Sequence, residues 1–452
     1  MWNNTVLGFP ARCYVQSRNP VLRVGLLGFV LASGFGFAEP PVEIPETAFG
    51  KTVREIRFEG LNRTREGNVL RELASQVGEP YTRRSAAADP ERLDRLRIFS
   101  SYDIKVIEET DSVILEIRVK ETFRFLPILS IDVSDETGVS VGPGFKAINL
   151  AGKQMFFSTA ARFGGATDLE TILRNPWFAG NHLSYQADFR YVDRFNELDK
   201  FEEQSAEFGF ELGSYIGNSG RIGTRFKFVS LRSDMDGITL SETNHDKIPR
   251  LGFYLGYDDR DFWSDTRDGW WNEVEVSKSG GFLGGDGDFW TVNFDVRKYQ
   301  RMATRHSIAL FSLTTLQSGM VGVDIPIHQD FHLGGTNTIR GWSLDSSRGR
   351  NQFINTAEYR YSLLKPRSLS FKGLTLFFGI HLAVFGDLGI AWNENHEFNT
   401  ENFIGGYGFG IRFLVPFVDM IRVDFALGEP GRGLRSYVAI EPKPVKQRKR
   451  IR

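Results

Sequence analysis

Residues His182 to Val192 read HLSYQADFRYV. In an extended chain Leu183, Tyr185, Ala187, Phe189 and Tyr191 fall on one face, and His182, Ser184, Gln186, Asp188 and Arg190 on the other. The pattern recurs at Arg221–Phe228, where Ile222, Thr224, Phe226 and Phe228 oppose Arg221, Arg225 and Lys227. It recurs again at Phe289–Arg297, where Trp290, Val292, Phe294 and Val296 oppose Thr291, Asn293, Asp295 and Arg297. A soluble sandwich also alternates, but it has no need of so many large aromatics on one face and so many charges on the other. A bilayer outside and a wet lumen inside account for both faces. Alternating runs between turn-rich stretches number about sixteen, within the even-numbered range of such barrels. The spacing therefore predicts a mainly β protein with a transmembrane antiparallel barrel over residues 123–441. Polar, Gly-containing stretches such as SDMDGITLSETNHD and GGFLGGDGD read as loops between strands, and the GGDGD piece reads as a loop tip in preference to a calcium or phosphate site.

Composition points the same way. Among 452 residues there are 47 Gly and 39 Phe against only 6 Met, a balance that suits many strands with tight turns better than a helical enzyme. The net charge of −1 carries no basic surface for nucleic acid, and the closing KQRKRIR, in a tail over 442–452, reads as a short solvated end. Beyond the first forty residues no run approaches the roughly 18 apolar residues of a helical span. The one cysteine, Cys13, precedes the expected mature start, so disulfides and thiolate metal sites are not expected. The seven histidines are scattered, and no nucleophile elbow or spaced triad is present. We therefore expect no catalytic residues, no metal and no cofactor.

Val21–Ala38, VLRVGLLGFVLASGFGFA, follows Arg18 and offers small residues at Gly36 and Ala38. Residues 1–38 read as a signal peptide, with a retained amphipathic anchor as the alternative, and 39–51 as a Pro-rich acidic linker. A small domain is expected over 52–122. Thr52–Glu59 alternates as a strand, and Thr64 is placed to N-cap a helix carrying Val69, Leu70 and Leu73, with Gly78 beyond its end. Asp89-Pro90 is placed to start a second helix with Leu93 and Leu96 inward. Tyr102, Ile104 and Val106, then Val113, Leu115, Ile117 and Val119, mark two further strands, giving the order β-α-α-β-β. That order, with LRIFSSYDIKV followed by VILEIRVKE, resembles a POTRA domain. Such a domain offers an open sheet edge to an extended client, or serves as a spacer or docking module.

Inside the barrel the stretch LGGTNTIRGW, Leu333–Trp342, sets an obligate cation on a glycine hinge. An arginine facing a barrel lumen needs a carboxylate. Parity supplies candidates: Asp387 falls with His381, Ala383 and Gly389 on the inward side, Glu358 and Arg360 oppose Ala357 and Tyr359, and Arg422 and Asp424 oppose Ile421 and Val423. This tip (Gly334, Gly335, Ile339, Arg340, Gly341 and Trp342), together with NTAEYRY at 355–361, VFGDLG at 384–389 and GFGIRFLVPFVDMIRVDFAL at 408–427, resembles the bacterial surface antigen family of outer-membrane assembly and secretion factors, the BamA/TamA/FhaC type. YDDRDFWSDTRDGWW at 257–271 is a weaker match to an internal hairpin of that family.

The resemblance implies a bacterial outer-membrane location with the small domain in the periplasm. It also implies a role in inserting β-barrel proteins or secreting polypeptides. The implied partners are outer-membrane lipids, unfolded barrel or secreted clients, and periplasmic chaperones or lipoproteins met through the POTRA-like domain. In the family the arginine is similar in role, pairing with a barrel-wall acid. We rank Asp387 first, then Glu358, then Asp424. Whether this pair only anchors a plug loop or also takes part in an assembly cycle stays open. A weak seam is expected between a first strand near 125–133 and a last near 434–441. Two features depart from the major assembly factors, namely one POTRA-like domain where they carry several and a closing strand that runs into EPKPVKQRKRIR. Rival readings are a passive pore or transporter, and a structural or adhesive surface protein.

Overall fold

The computed structural model describes residues 45–440, apart from 97, 180–182, 218, 262–264, 372–373 and 416–418. The expected signal peptide, residues 39–44 of the linker and the basic tail lie outside the described residues, as does His182.

The N-terminal module is a three-stranded sheet under two helices. Its elements are β1 (Thr52–Glu59), α1 (Glu66–Leu70), α2 (Arg83–Leu96), β2 (Phe99–Glu108) and β3 (Ser112–Glu121). The strand order is β1-β3-β2, with β1 parallel and β2 antiparallel to β3. The alternating apolar positions converge: Val53, Ile56, Leu93, Val113, Leu115 and Ile117 form the core with Val69 and Leu73. Each such side chain contributes about 1.5–3 kcal/mol through burial.

Both helix starts differ from the sequence expectation. Thr64 does not cap α1, whose flanking residue Arg65 makes no side-chain cap. The Thr64 hydroxyl donates instead to Glu121 at 2.6 Å, because a carboxylate is a stronger acceptor than an N-cap hydroxyl is a partner for one amide. α1 ends at Leu70, well before Gly78. α2 begins seven residues before Pro90, which lies inside it. Thr82 and Ser85 cap that helix reciprocally, each hydroxyl accepting the other's backbone N–H at 3.0–3.1 Å. Asp89 is thereby freed to accept the backbone N–H groups of Ala74 and Ser75 and the Ser75 hydroxyl, tying α2 to the segment that follows α1.

The barrel opens with β4 (Phe125–Ser134), β5 (Gly138–Leu150), β6 (Met155–Gly164), β7 (Thr167–Ala179) and β8 (Leu183–Asn196). It continues through β9 (Phe201–Ile216), β10 (Gly220–Ser233), β11 (His245–Asp258), β12 (Gly269–Gly280), β13 (Asp288–Ala303) and β14 (His306–Gln317). A long connection then carries a small hairpin, β15 (Phe331–Leu333) with β16 (Ser347–Gly349). The wall resumes with β17 (Asn351–Phe371), β18 (Leu374–Trp392), β19 (Ile404–Val415), β20 (Asp419–Leu427) and β21 (Arg435–Ile440). These make one 16-stranded sheet in chain order, with β17 paired to β14 across the long connection. The expected strand number is thus observed. Among the described residues no ladder pairs β21 with β4.

Faces follow parity. Phe189, Phe253, Leu255, Val384 and Tyr407 stand exposed outside, while Glu211, Arg221, Glu273, Asp295 and Arg297 are buried inside. Among the described residues no helix is long and apolar enough to cross a membrane, and the exposed apolar face of the strands is of the kind that suits lipid. Unsatisfied backbone groups in hydrocarbon would each be costly, and laddering around the wall removes all but those at the seam.

The module is seated on the barrel through the turn between β5 and β6. Asn149, Ala151, Gly152 and Gln154 all have φ near +55 to +66°, a conformation that side chains rarely adopt. The contacts that hold it come from the module. Arg65 N–H and Asn68 Nδ2 donate to Gly152 O at 3.2 and 2.7 Å, and Asn149 Nδ2 donates to Thr64 Oγ1 at 2.7 Å. Gln154 bridges Asn68 O and the Trp177 indole N–H, and Arg71 stacks on that indole at 4.7 Å. Only glycine fits at 152, where a Cβ would lie 2.0 Å from Arg63 O.

Glu121 is the hinge pin of this junction, with its side chain 5% exposed. Burial opposes its ionisation, but hydrogen bonds from the hydroxyl and N–H of Thr64 and from the side chain and N–H of Arg63 outweigh that and hold its carboxyl down to about 2. A pKa depressed from an unfolded value near 4.3 stabilises the junction above that value, and the contribution is lost as pH falls through about 2. It is worth roughly 1–2 kcal/mol after allowance for solvent screening. We expect Glu121→Ala to lower amide protection at Arg63 and Thr64 about tenfold at pH 7. Wild-type protein at pH 2 should approach the variant's protection factors, measured by hydrogen exchange. Equal protection in variant and wild type at pH 7 would contradict this role.

Candidate functional site

The long connection between β14 and β17 folds into the lumen, and its tip is Leu333–Trp342. Gly334, with φ +128°, pinches the entry where a Cβ would lie 1.7 Å from Ser343 O. The Thr338 hydroxyl closes the turn against Gly334 N and O at 2.7 Å, and Gly335 N–H donates to Trp342 O at 3.0 Å. Ile339 is fully buried with Leu313, Leu333, Ile354, Ala391 and Ile404, and Trp342 packs at the edge of that cluster. Gly341, with φ +94°, lets the backbone pass within reach of Leu427 at the end of β20.

This hydrophobic peg aims Arg340. Its guanidinium has no exposed surface and grips Asp387 with two parallel bonds, Nε to Oδ2 and Nη2 to Oδ1, both 2.7 Å. The Arg340 backbone N–H adds a third bond to Asp387 Oδ2 at 3.1 Å, and the Thr356 hydroxyl donates to Oδ1 at 2.8 Å. Nη1 reaches Asp424 Oδ2 at 3.1 Å and Glu358 Oε2 at 3.5 Å, and the guanidinium lies 3.3 Å over the Phe385 ring. All three expected acids are therefore brought to Arg340, but Asp424 stands closer than Glu358. Glu358 is also held by Arg360 Nε and Arg412 Nη2, each at 2.6 Å. Arg412 also donates to Asp424, and Arg422 donates to Thr336 O at 2.6 Å while lying 3.2 Å from Asp424.

The result is a buried network of four guanidinium groups (Arg340, Arg360, Arg412 and Arg422) and three carboxylates (Glu358, Asp387 and Asp424), each at most 5% exposed. A second lumen network lies across the barrel. Arg225 bonds Glu211, Glu273 and Glu275 and stacks on Tyr254 at 4.0 Å.

The tip also reaches both strands beside the seam. The Thr336 backbone N–H and hydroxyl donate to Asp135, in the turn joining β4 to β5. On the other side Gly341 N–H donates to the Tyr437 hydroxyl of β21 at 2.9 Å, and that hydroxyl donates to Trp342 O at 3.2 Å. Arg435 adds a bond to the Ser343 hydroxyl at 2.8 Å. The loop thus spans the unpaired edge from within.

A family model described as the Omp85 superfamily domain matches residues 149–432, and one described as the surface antigen variable number repeat, POTRA, matches residues 51–122. The chain belongs to the Omp85 superfamily. It is 26% identical over 411 residues to the outer membrane protein assembly factor BamA of Nitratidesulfovibrio vulgaris. That alignment covers 84% of this Omp85 chain and 48% of the relative, so the chain spans about half the length of the curated relative it matches. Among solved structures, BamA from Haemophilus ducreyi lacking POTRA domains 1–3 superposes with a TM-score of 0.57 at 14% identity, covering 86% of this chain and 84% of that one. CdiB from Acinetobacter baumannii superposes with a TM-score of 0.52 at 12% identity, covering 88% and 72%. At these identities the likeness is one of fold.

Sequence reading passed over several partners of the tip in this Omp85 barrel. Arg412 was detectable, since it shares inward parity with Gly408 and Gly410 against Phe409 and Ile411. Phe385, Asp135 and Tyr437 carried no signal of their own, because their roles come from where the loop lands. His328 and His332 stand four residues apart but not on one helix, since His328 lies in a 3-10 turn and His332 in β15. They face Asp246 and the pair Asp330 and Asp345 respectively. Among the described residues no group of His, Cys, Asp or Glu is arranged to hold a metal ion.

Removing one member of a buried charged network leaves the others uncompensated. Arg340→Ala is expected to destabilise the folded barrel by about 3–5 kcal/mol. Arg340→Lys should recover only part of this, because an ammonium cannot make the two parallel bonds to Asp387. Denaturant midpoints read by heat-modifiable gel mobility test both, and a wild-type midpoint for Arg340→Ala would remove the tip from the stability of the barrel.

Proposed function

We propose that this chain is an outer-membrane assembly or translocation factor, with its POTRA-like domain in the periplasm. It would help β-barrel proteins insert into the outer membrane or polypeptides cross it. The observation that carries the reading is the combination of an unladdered β4–β21 edge with a lumen loop hydrogen-bonded to both sides of it. Family membership and the curated relative, itself an assembly factor, support the reading. An unpaired edge exposes a row of backbone donors and acceptors, and a client strand can satisfy them by adding to the sheet. β21 has only six residues, so few ladder bonds oppose its release. Nucleotide is not required. The client's own strand pairing and burial of apolar surface drive the step.

Within this reading the Arg340 network anchors the loop, and the loop holds the two edge strands at a fixed separation. The domain division, a POTRA-like domain over 52–122 and a barrel over 123–441, assigns client or partner contact to the first and the working edge to the second. In the module β2 presents an outer edge suited to an extended chain, whereas the start of β1 is already paired with residues 78–81.

Two measurements test this. Deleting the gene should deplete a subset of outer-membrane or secreted proteins, seen by quantitative profiling of both fractions. Cysteines at facing positions of β4 and β21 should, when oxidised, block client assembly reversibly, with reduction restoring it. Full crosslinking with undiminished client assembly would show that the seam need not open. An unchanged protein profile together with a large steady conductance would favour a passive pore.

A further inference from the structure

The strand count places one unexplained pocket at the membrane boundary. β4 starts at the rim beside the N-terminal module, and strands alternate in direction. The turn between β11 and β12, the turn between β13 and β14 and the far end of β17 therefore return to that same rim. These three segments frame an open pocket of about 520 Å³ lined by Arg267, Arg301, Met302, Thr304, Lys365 and Pro366 among others. Three of these side chains are cationic. Arg267 spends one nitrogen on Thr304 O at 3.0 Å, while its buried Nε and Nη2 meet no acceptor among the described residues. Arg301 is half exposed and binds Asp261 at 2.8 Å. Lys365 is exposed and makes no ion pair among the described residues. The acids of the turn are already engaged. Asp261 also accepts the Arg267 backbone N–H, and Asp268 accepts the Arg301 backbone N–H at 3.5 Å.

The surroundings belong to the bilayer. Met302, Leu363 and Leu364 stand exposed on the outer face beside the pocket. Trp270, with Lys298 Nζ 4.8 Å over its ring, and Tyr359, hydrogen-bonded to His306, stand on the neighbouring strands. Aromatic residues of this kind mark the interface between hydrocarbon and head groups. A concave cluster of cations with unspent donors, set directly against that belt, matches a phosphate whose acyl chains run up the wall.

We propose that this rim pocket binds the phosphate head group of an anionic phospholipid in the leaflet on the module side. The assignment requires only that the barrel sit in a bilayer, as in the functional reading above, and not that it assemble clients. The two can therefore fail separately.

The test uses the full chain in detergent micelles supplied with phosphatidylglycerol or phosphatidylcholine, with bound lipid counted by native mass spectrometry. Wild-type protein should retain phosphatidylglycerol preferentially. Arg301→Gln with Lys365→Gln should weaken that retention about thirtyfold, from roughly 1 kcal/mol per cation. Lys365→Gln alone should weaken it severalfold, and Lys365→Arg should keep it, which separates charge from any disturbance at Arg301. Equal retention of the two lipids, or undiminished retention in both charge-removing variants, would overturn the proposal. Displacement of the lipid by millimolar inorganic phosphate would also overturn it, by showing a site for free phosphate.

Discussion

A guanidinium with no exposed surface cannot rely on water, so its counter-charges must come from the protein around it. Arg340 meets that demand with one bidentate acid, two further carboxylates and an aromatic face. Those groups come from three strands, β17, β18 and β20, so satisfying one side chain fixes the loop against that arc of the wall. The apolar peg at Ile339 and the glycines at 334 and 341 deliver the charge to this position. Arg360, Arg412 and Arg422 share Glu358 and Asp424 in turn, so four guanidiniums meet on three carboxylates. The loop is held by burial and charge together, and neither alone would set its depth.

The same tip touches both edges of the one place where the wall is not laddered. On the β4 side the tie is a single carboxylate, Asp135, meeting Thr336. On the β21 side it is the Tyr437 hydroxyl between two backbone groups, reinforced by Arg435. The interactions at the edges are few and their partners partly exposed, whereas the interactions that root the loop are many and buried. Release of an edge therefore disturbs far less of the structure than release of the loop. The module is attached differently again, by a strained turn gripped through Thr64, Asn68 and Glu121, which gives the soluble part a defined seat on the barrel rim.

The readings that succeeded from sequence rested on periodicity. Alternation in segments such as Phe289–Arg297 identifies strands and assigns each side chain to lipid or lumen without any long-range information. Parity likewise puts Asp387, Glu358 and Asp424 on the lumen face. Their order around Arg340 was not legible, because it depends on where the loop sets the guanidinium between the strands. Glu358, ranked second, lies farthest at 3.5 Å, and Asp424, ranked third, lies at 3.1 Å. The helix starts failed for a related reason. Thr64 and Asp89 are good local caps, but Glu121 and the Ala74–Ser75 backbone offer them stronger partners from elsewhere in the chain.

What the sequence determined by itself is thus local and periodic: a barrel of about sixteen strands, a small β-α-α-β-β module before it, and a cation on a glycine hinge that needs inward acids. Tertiary structure alone decided which acids it takes, that its loop spans the β4–β21 edge, how the module is seated, and that three cations converge at the rim. These are matters of distance between residues far apart in the chain. A side chain's face follows from its neighbours two residues away, whereas its partners follow only from how the whole sheet closes.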